Sequence, residues 1–242
     1  MEAIKTIGLT KKYQDVLAVD ELNLEIQQGE LFALLGVNGA GKTTTIKMLS
    51  CLTRPTSGDG FIMGHSIVSE DWQVKRLLGV SPQETAVAPN LTVKENLELI
   101  CGIYGFSKEK TSQKIKSMAD GFDLHSILKK KAGKLSGGWQ RRVSIAMALI
   151  SEPAVLFLDE PTLGLDVLAR NELWDVILGL KGKVTIILTT HYMEEAEALS
   201  DRIGIMCDGK LLVTGTAREL MEQTATDTFE KAFVRIAKEA KK

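Results

Sequence analysis

One stretch constrains this chain more than any other: Gly36-Val37-Asn38-Gly39-Ala40-Gly41-Lys42-Thr43, which fits G-x-x-x-x-G-K-[ST], the Walker A pattern. Gly36, Gly39 and Gly41 let the backbone curl so that successive N–H groups point inward. Those amides, together with the N-terminus of a helix beginning near Lys42, form a site for phosphate oxygens. The Lys42 ammonium reaches β- and γ-phosphates, and the Thr43 hydroxyl is placed to ligate magnesium. The context agrees. Residues 30–35 read as a strand leading in, and residues 44–52 read as a helix leading out. Gly36, Asn38, Gly39, Ala40, Gly41, Lys42, Thr43 and Thr44 are therefore the candidate phosphate-binding residues.

Further short apolar runs, 78–81, 155–158 and 185–188, lack the alternation of a half-exposed sheet. Runs of this length suit parallel strands covered on both faces, and most precede a helical pattern, so the fold class is α/β. The run ending at Leu158 leads into Asp159 and Glu160. A carboxylate there sits at the ligand-binding edge of such a sheet. Asp159 is the candidate holder of magnesium, and Glu160 the candidate general base for an attacking water. Residues 56–60 and 208–210 read as turns of a small antiparallel sheet at the side. Residues 91–131 are helical in pattern, with Leu97, Ile100, Cys101 and Tyr104 on one face. Residues 228–242 read as an amphipathic helix carrying Phe229, Phe233 and Ile236.

Composition closes off other classes. The net charge of −1 and the scattered Lys and Arg exclude a basic nucleic-acid-binding surface, so no nucleic acid is expected as partner. The run Lys129-Lys130-Lys131 reads as a solvated loop. Cys51, Cys101 and Cys207 are far apart and odd in number, which argues against a disulfide framework. The first residues carry no apolar signal segment, and no apolar run approaches the ~18 residues that span a bilayer. A soluble, cytosolic chain is expected, with any membrane role supplied by a partner.

Other segments carry a family resemblance. Leu135-Ser136-Gly137-Gly138-Trp139-Gln140-Arg141-Arg142 resembles the signature motif of ABC ATPases. Gln83 resembles that family's Q-loop glutamine, Leu163-Gly164-Leu165-Asp166 its D-loop, His191 its switch histidine, and Tyr13 the aromatic that stacks on adenine. The motifs fall in family order from about Ile4 to Gly215. The fold this implies is a P-loop NTPase core with a lateral antiparallel β-subdomain and an inserted helical subdomain. The implied domains are an ATPase domain over residues 1–220, with the helical insert at about 84–150, and a C-terminal helical tail over 221–242. The resemblance makes ATP and Mg2+ the ligands and ATP hydrolysis the activity, with Glu160, His191, Gln83 and Lys42 in catalytic roles. Thr43, Gln83 and Asp159 would serve the metal. The segment after Ser136 reads as a second anion-binding helix start, capped by Ser136 and running to Glu152 before Pro153. In the family, two domains pair head to tail, so Ser136, Gly137 and Gly138 would cap the partner's ATP, and Asp166 would lie across the interface. One departure is Trp139, where the family commonly has Gln.

The interval between Thr43 and Ser136 is too short for the coiled coil of chromosome-maintenance relatives, and the segment after Gly215 too short for a regulatory domain. Residues 162–170, 191–197 and the tail look like bacterial or archaeal drug- or sodium-efflux ATPase subunits. The expected partners are an integral-membrane permease on a separate chain and a second copy of this chain or a homologous ATPase. The expected place is cytoplasmic, peripheral on the inner face of the membrane. A ribosome-associated regulator, a P-loop kinase and a non-hydrolysing scaffold are the competing readings. The kinase is disfavoured by the signature motif and His191, the scaffold by Lys42, Asp159 and Glu160.

Overall fold

The computed structural model describes residues 1–240 of the chain; Lys241 and Lys242, the end of the expected tail helix, lie outside the described residues. The chain opens with β1 (Glu2–Tyr13), β2 (Val16–Gln27), β3 (Leu31–Leu35) and α1 (Lys42–Leu49). It continues through β4 (Ser57–Ile62), β5 (His65–Ser66), α2 (Asp71–Arg76) and β6 (Leu78–Ser81). Three helices follow, α3 (Val93–Ile103), α4 (Lys108–Phe122) and α5 (Gly137–Leu149). Strand and helix then alternate as β7 (Val155–Asp159), α6 (Val167–Leu178), β8 (Thr185–Thr190) and α7 (Met193–Leu199). The hairpin β9 (Arg202–Cys207) and β10 (Lys210–Gly215) precedes α8 (Ala217–Gln223) and α9 (Phe229–Glu239).

The strands form two sheets. The main sheet has six strands in the order β10-β9-β3-β8-β7-β6, parallel throughout except at β10. Every residue of β3, β7 and β8 is buried, which is why these strands read as continuous apolar runs rather than alternating ones. Alternate residues feed opposite faces. Leu156, Leu158, Ile186 and Leu188 pack with α5 and α6, whereas Phe32, Leu34, Phe157 and Ile187 pack toward α1 and the second sheet. The apolar positions of α3 and α4 join the first of these clusters, so the helical segment shares the core of the sheet. In α3, Leu97 and Cys101 are buried and Ile100 packs against them; Tyr104 lies past the last turn, half-exposed and stacked on Phe106.

The second sheet has four strands in the order β2-β1-β4-β5, all antiparallel. It corrects the sequence reading in two ways. Residues 56–60 are not a turn: Ser57–Ile62 is a strand paired with β1. Its glycines serve close approach instead, since a Cβ on Gly60 would press on Ile67 and Leu49 at 3.0 and 3.1 Å. The turn at Asp208-Gly209 does exist, but its hairpin is the edge of the main sheet, because β9 runs parallel to β3. The side sheet is built mostly from β1 and β2, 12 residues each, which sequence reading left unassigned.

Two helices end earlier than expected. α1 stops at Leu49 and not Leu52, where Cys51 turns to φ 56. α5 stops at Leu149 and not Glu152; Glu152 adopts φ 56 ahead of Pro153, which disfavours helix in the residue before it. At the other end of the chain, α9 lays Phe229, Ala232 and Phe233 onto a cluster formed by Ala33, Leu35, Ile203 and Ile205. The terminal helix is therefore part of the main-sheet core. Phe229→Ala should cost about 3–5 kcal/mol of stability in chemical denaturation, since the ring is fully enclosed; a change near zero would mean that α9 contributes no packing.

Candidate functional site

Parallel pairing brings four strand exits to one edge of the main sheet. Leu35 sits opposite Thr190, and Asp159 opposite Thr189, so the loops after β3, β7 and β8 begin level with each other. β6 pairs with β7 and exits at Ser81, two residues before Gln83. This edge is where ligands bind in open α/β sheets.

The loop after β3 curls over that edge. Gly41 has φ 102, a conformation that favours glycine, and a Cβ there would lie 2.4 Å from the Ala18 carbonyl. Gly36 is held at a tight approach, with the Met206 carbonyl 2.5 Å from where a Cβ would be. Lys42 is buried, and its ammonium donates to the carbonyls of Gly36 at 2.7 Å and Val37 at 3.2 Å, lying 3.4 Å from Glu160 Oε1. The lysine thus bolts its own loop while pairing with the acid at the end of β7.

Glu160 is fixed from several sides. Its N–H donates to the Thr189 carbonyl and hydroxyl, its Oε2 meets His191 Nδ1 at 2.5 Å, and its backbone takes φ 49. A glutamate in the left-handed region is uncommon and is retained where the surroundings determine it. Asp159 lies one layer deeper. Its Oδ1 accepts from the hydroxyls of Thr189 and, at 3.2 Å, Thr43. Thr43 and Asp159 thus present a hydroxyl and a carboxylate side by side. Among the described residues no group of three or more His, Cys, Asp or Glu is placed to hold a metal ion. Two hard oxygen donors with room for other oxygens suit Mg2+, which keeps waters and phosphate oxygens in its shell.

These groups surround an open pocket of about 520 Å³ lined by residues 38–44 together with Tyr13, Gln83, Glu160 and His191. Gly36 and Asp159 stand behind its wall. Tyr13 lies at the rim, 43% exposed, with the Lys11 ammonium 4.9 Å from the ring centroid. Ala18 and Leu163 also line the pocket and were not picked out from sequence.

Ser136, Gly137, Gly138 and Asp166 lie elsewhere, grouped with one another. A Cβ on Gly137 would meet Leu165 at 3.5 Å, and one on Gly138 would meet Ala169 at 3.1 Å. Ser136 occupies the N-cap position of α5, yet its hydroxyl makes no capping hydrogen bond, contrary to the expectation from sequence. The side chain is exposed, and the helix starts with the Ser136 carbonyl accepting from Gln140. Asp166 caps α6 by accepting from Ala169 N at 2.9 Å.

Two buried ionisable groups flank the pocket. Arg141 donates to the carbonyls of Pro82 and Gln83, each at 2.6 Å, and burial pushes its guanidinium down. Glu195 is fully buried, accepts from the Trp174 indole at 3.1 Å, and is pushed up by burial. Sequence reading singled out neither, because a buried arginine in a basic run and a buried glutamate in an acidic helix look like surface charges. His65 and His125 pair with Glu70 and Asp120, away from the pocket.

A family model described as ABC transporter matches residues 19–163. The chain is 41% identical over 239 residues to a probable multidrug ABC transporter ATP-binding protein of Escherichia coli (strain K12). That match covers 96% of this chain and 41% of the E. coli protein, so the chain spans about two fifths of that relative's length. Among solved structures, an ATP-binding subunit of an ABC transporter superposes with a TM-score of 0.85 at 28% identity, covering 97% of this chain and 99% of that one. A dimeric ATP-binding cassette in a post-hydrolysis state, bound to ADP and Pi, gives a TM-score of 0.78 at 27% identity, covering 88% of this chain and 98% of that one.

Gly41→Ala should lower affinity for a fluorescent ATP analogue by at least about tenfold, because the methyl group forces the loop away from Ala18. Titration with unchanged affinity would mean that the loop tolerates another path.

Proposed function

The chain belongs to the ABC transporter family and is an ATPase domain of it, and from that premise we propose that it drives a transporter by binding ATP with Mg2+ and hydrolysing it in the pocket after β3. The observation that carries this reading is the meeting of Lys42, Glu160 and His191 at one phosphate-sized loop.

In this reading the amides of residues 38–44 and the Lys42 ammonium receive the phosphates, exchanging the carbonyl partners of the lysine for phosphate oxygens. Tyr13 stacks on the base at the rim. Thr43, Asp159 and Gln83 serve the metal, which when bound neutralises phosphate charge. Glu160 orients and deprotonates the attacking water. The water oxygen bonds to the γ-phosphorus, the bond to the β–γ bridging oxygen breaks, and the proton passes to the Glu160 carboxylate. His191 holds Glu160 on one side and Lys42 holds it on the other, so the base is positioned by contacts within the fold.

Ser136, Gly137, Gly138 and Asp166 act on a second copy in this proposal. The first-turn amides of α5 lack a capping bond from Ser136, and Val167 and Leu168 beside them are 61% and 74% exposed. Both features suit a head-to-tail dimer in which each α5 start faces the other chain's nucleotide. ATP bound across that interface then stabilises association by mass action. We assign residues 1–220 to the ATPase domain, with the helical insert at about 84–150, and 221–242 to the tail.

No described helix is long and apolar enough to cross a membrane. The family likeness supports a permease on a separate chain as the membrane path, with this chain peripheral on its cytoplasmic side. The multidrug description of the E. coli relative favours export as the direction.

Glu160→Gln should retain ATP binding, lose at least about a hundredfold in turnover, and accumulate a nucleotide-bound dimer in size-exclusion chromatography; an active Glu160→Gln enzyme would overturn the assignment of the base. Purification of the tagged chain from solubilised membranes should bring down a multi-span protein in fixed stoichiometry. Recovery only with soluble partners such as ribosomes would leave the ATPase standing and sink the transport reading.

A further inference from the structure

α5 lies along β6 through one face of the helix. Ala148, Ser144 and Arg141 fall on that face, at spacings of four and three residues. At the far end a Cβ on Gly79 would sit 2.3 Å from the Ala148 carbonyl, so helix and strand touch through backbone. In the middle the hydroxyls of Ser144 and Ser81 share a buried hydrogen bond of 2.9 Å. At the near end Arg141 reaches past the strand and grips the two consecutive carbonyls of Pro82 and Gln83 at 2.6 Å each.

The grip is unusual in its partners. Arg141 is 5% exposed, and no carboxylate lies within ion-pair distance of it among the described residues. Asp159 and Glu195 act on it only at longer range. A buried cation is costly unless its donors are satisfied. Bonds from both terminal nitrogens to adjacent carbonyls offset part of that cost in a geometry that lysine cannot copy. Arg141 and Gln83 are 58 residues apart in the chain, so this link is tertiary and not a local turn.

We propose that Arg141 is the positioning residue of Gln83, clamping the backbone that carries this pocket-lining side chain to the helix that starts at Gly137. The consequence is mechanical. α5 cannot shift along its axis without dragging the Gln83 carbonyl, so the second phosphate-binding helix start and the wall of the first pocket move as one body. A chain thereby ties its own nucleotide pocket to the helix start it offers elsewhere. This rests on the reading above, in which Gln83 serves the metal.

The test is a double-mutant cycle on Mg-ATP turnover by the full chain, with its membrane partner wherever the wild type needs it. The variants are Arg141→Met, Gln83→Ala and the pair. Arg141→Met and Gln83→Ala should each lower kcat about tenfold, as loss of a buried charge-assisted contact does. Both should raise the KM for magnesium alike, and the pair should be no worse than Gln83→Ala alone. Wild-type turnover in Arg141→Met, or losses that multiply in the pair, would overturn the proposal. If Arg141→Met melts below the assay temperature, Arg141→Lys carries the same cycle. A partial loss that vanishes in the Gln83→Ala background is expected there, and wild-type turnover or multiplied losses overturn it. Wild-type kinetics in Gln83→Ala would instead remove the reading of Gln83 itself, a failure distinguishable from failure of the clamp.

Discussion

Parallel pairing of β3 with β8, and of β8 with β7, sets the register on which every other feature of the pocket depends. It places Leu35 level with Thr190, and Asp159 level with Thr189 one residue before it. A shift of one residue would turn each side chain to the opposite face of the sheet. The strands are buried on both faces, so such a shift would also exchange the two halves of the core. The precision of Lys42 against Glu160, and of Thr43 against Asp159, is therefore supplied by the core and not by the loops.

The charges of the pocket are arranged to hold one another. Lys42 neutralises Glu160 from one side while His191 meets it from the other, and Asp159 is held by two hydroxyls rather than a cation. Each partner is one that a phosphate oxygen, a water or a metal can replace. The site is thus organised by contacts within the fold, and the cost of arranging it is borne by folding rather than by the reaction.

The parts legible in sequence were those whose local chemistry is self-sufficient. Gly36 to Thr43 needs its residue types for reasons internal to the loop, and β3, β7 and β8 announce themselves by uniform burial. The side sheet was legible only in part. β2 does alternate at Leu22, Leu24 and Ile26, but β1 is broken by register shifts that hide its period. β4 was masked by glycines that serve close packing. The early end of α5 depends on Glu152 turning before Pro153, and a helix can end anywhere in such a stretch. Arg141 and Glu195 were illegible for another reason: their burial is decided by β6, α6 and α7 packing over them, and their neighbours in sequence are charged.

The hairpin turn between β9 and β10 has a reach beyond its own sheet. Gly209 donates to the Ala40 carbonyl at 3.1 Å and accepts from Asp20 N at 2.9 Å, while the Met206 carbonyl closes over Gly36. Residues near position 207 thus brace a loop near position 40 and a strand near position 20. During synthesis the phosphate loop emerges well before the hairpin that braces it. Contacts so distant along the chain form late, because the intervening segment must first be closed into a loop. The nascent domain therefore carries its nucleotide-binding sequence without the support that shapes it until the β9–β10 hairpin has been made, and gains a finished pocket only then.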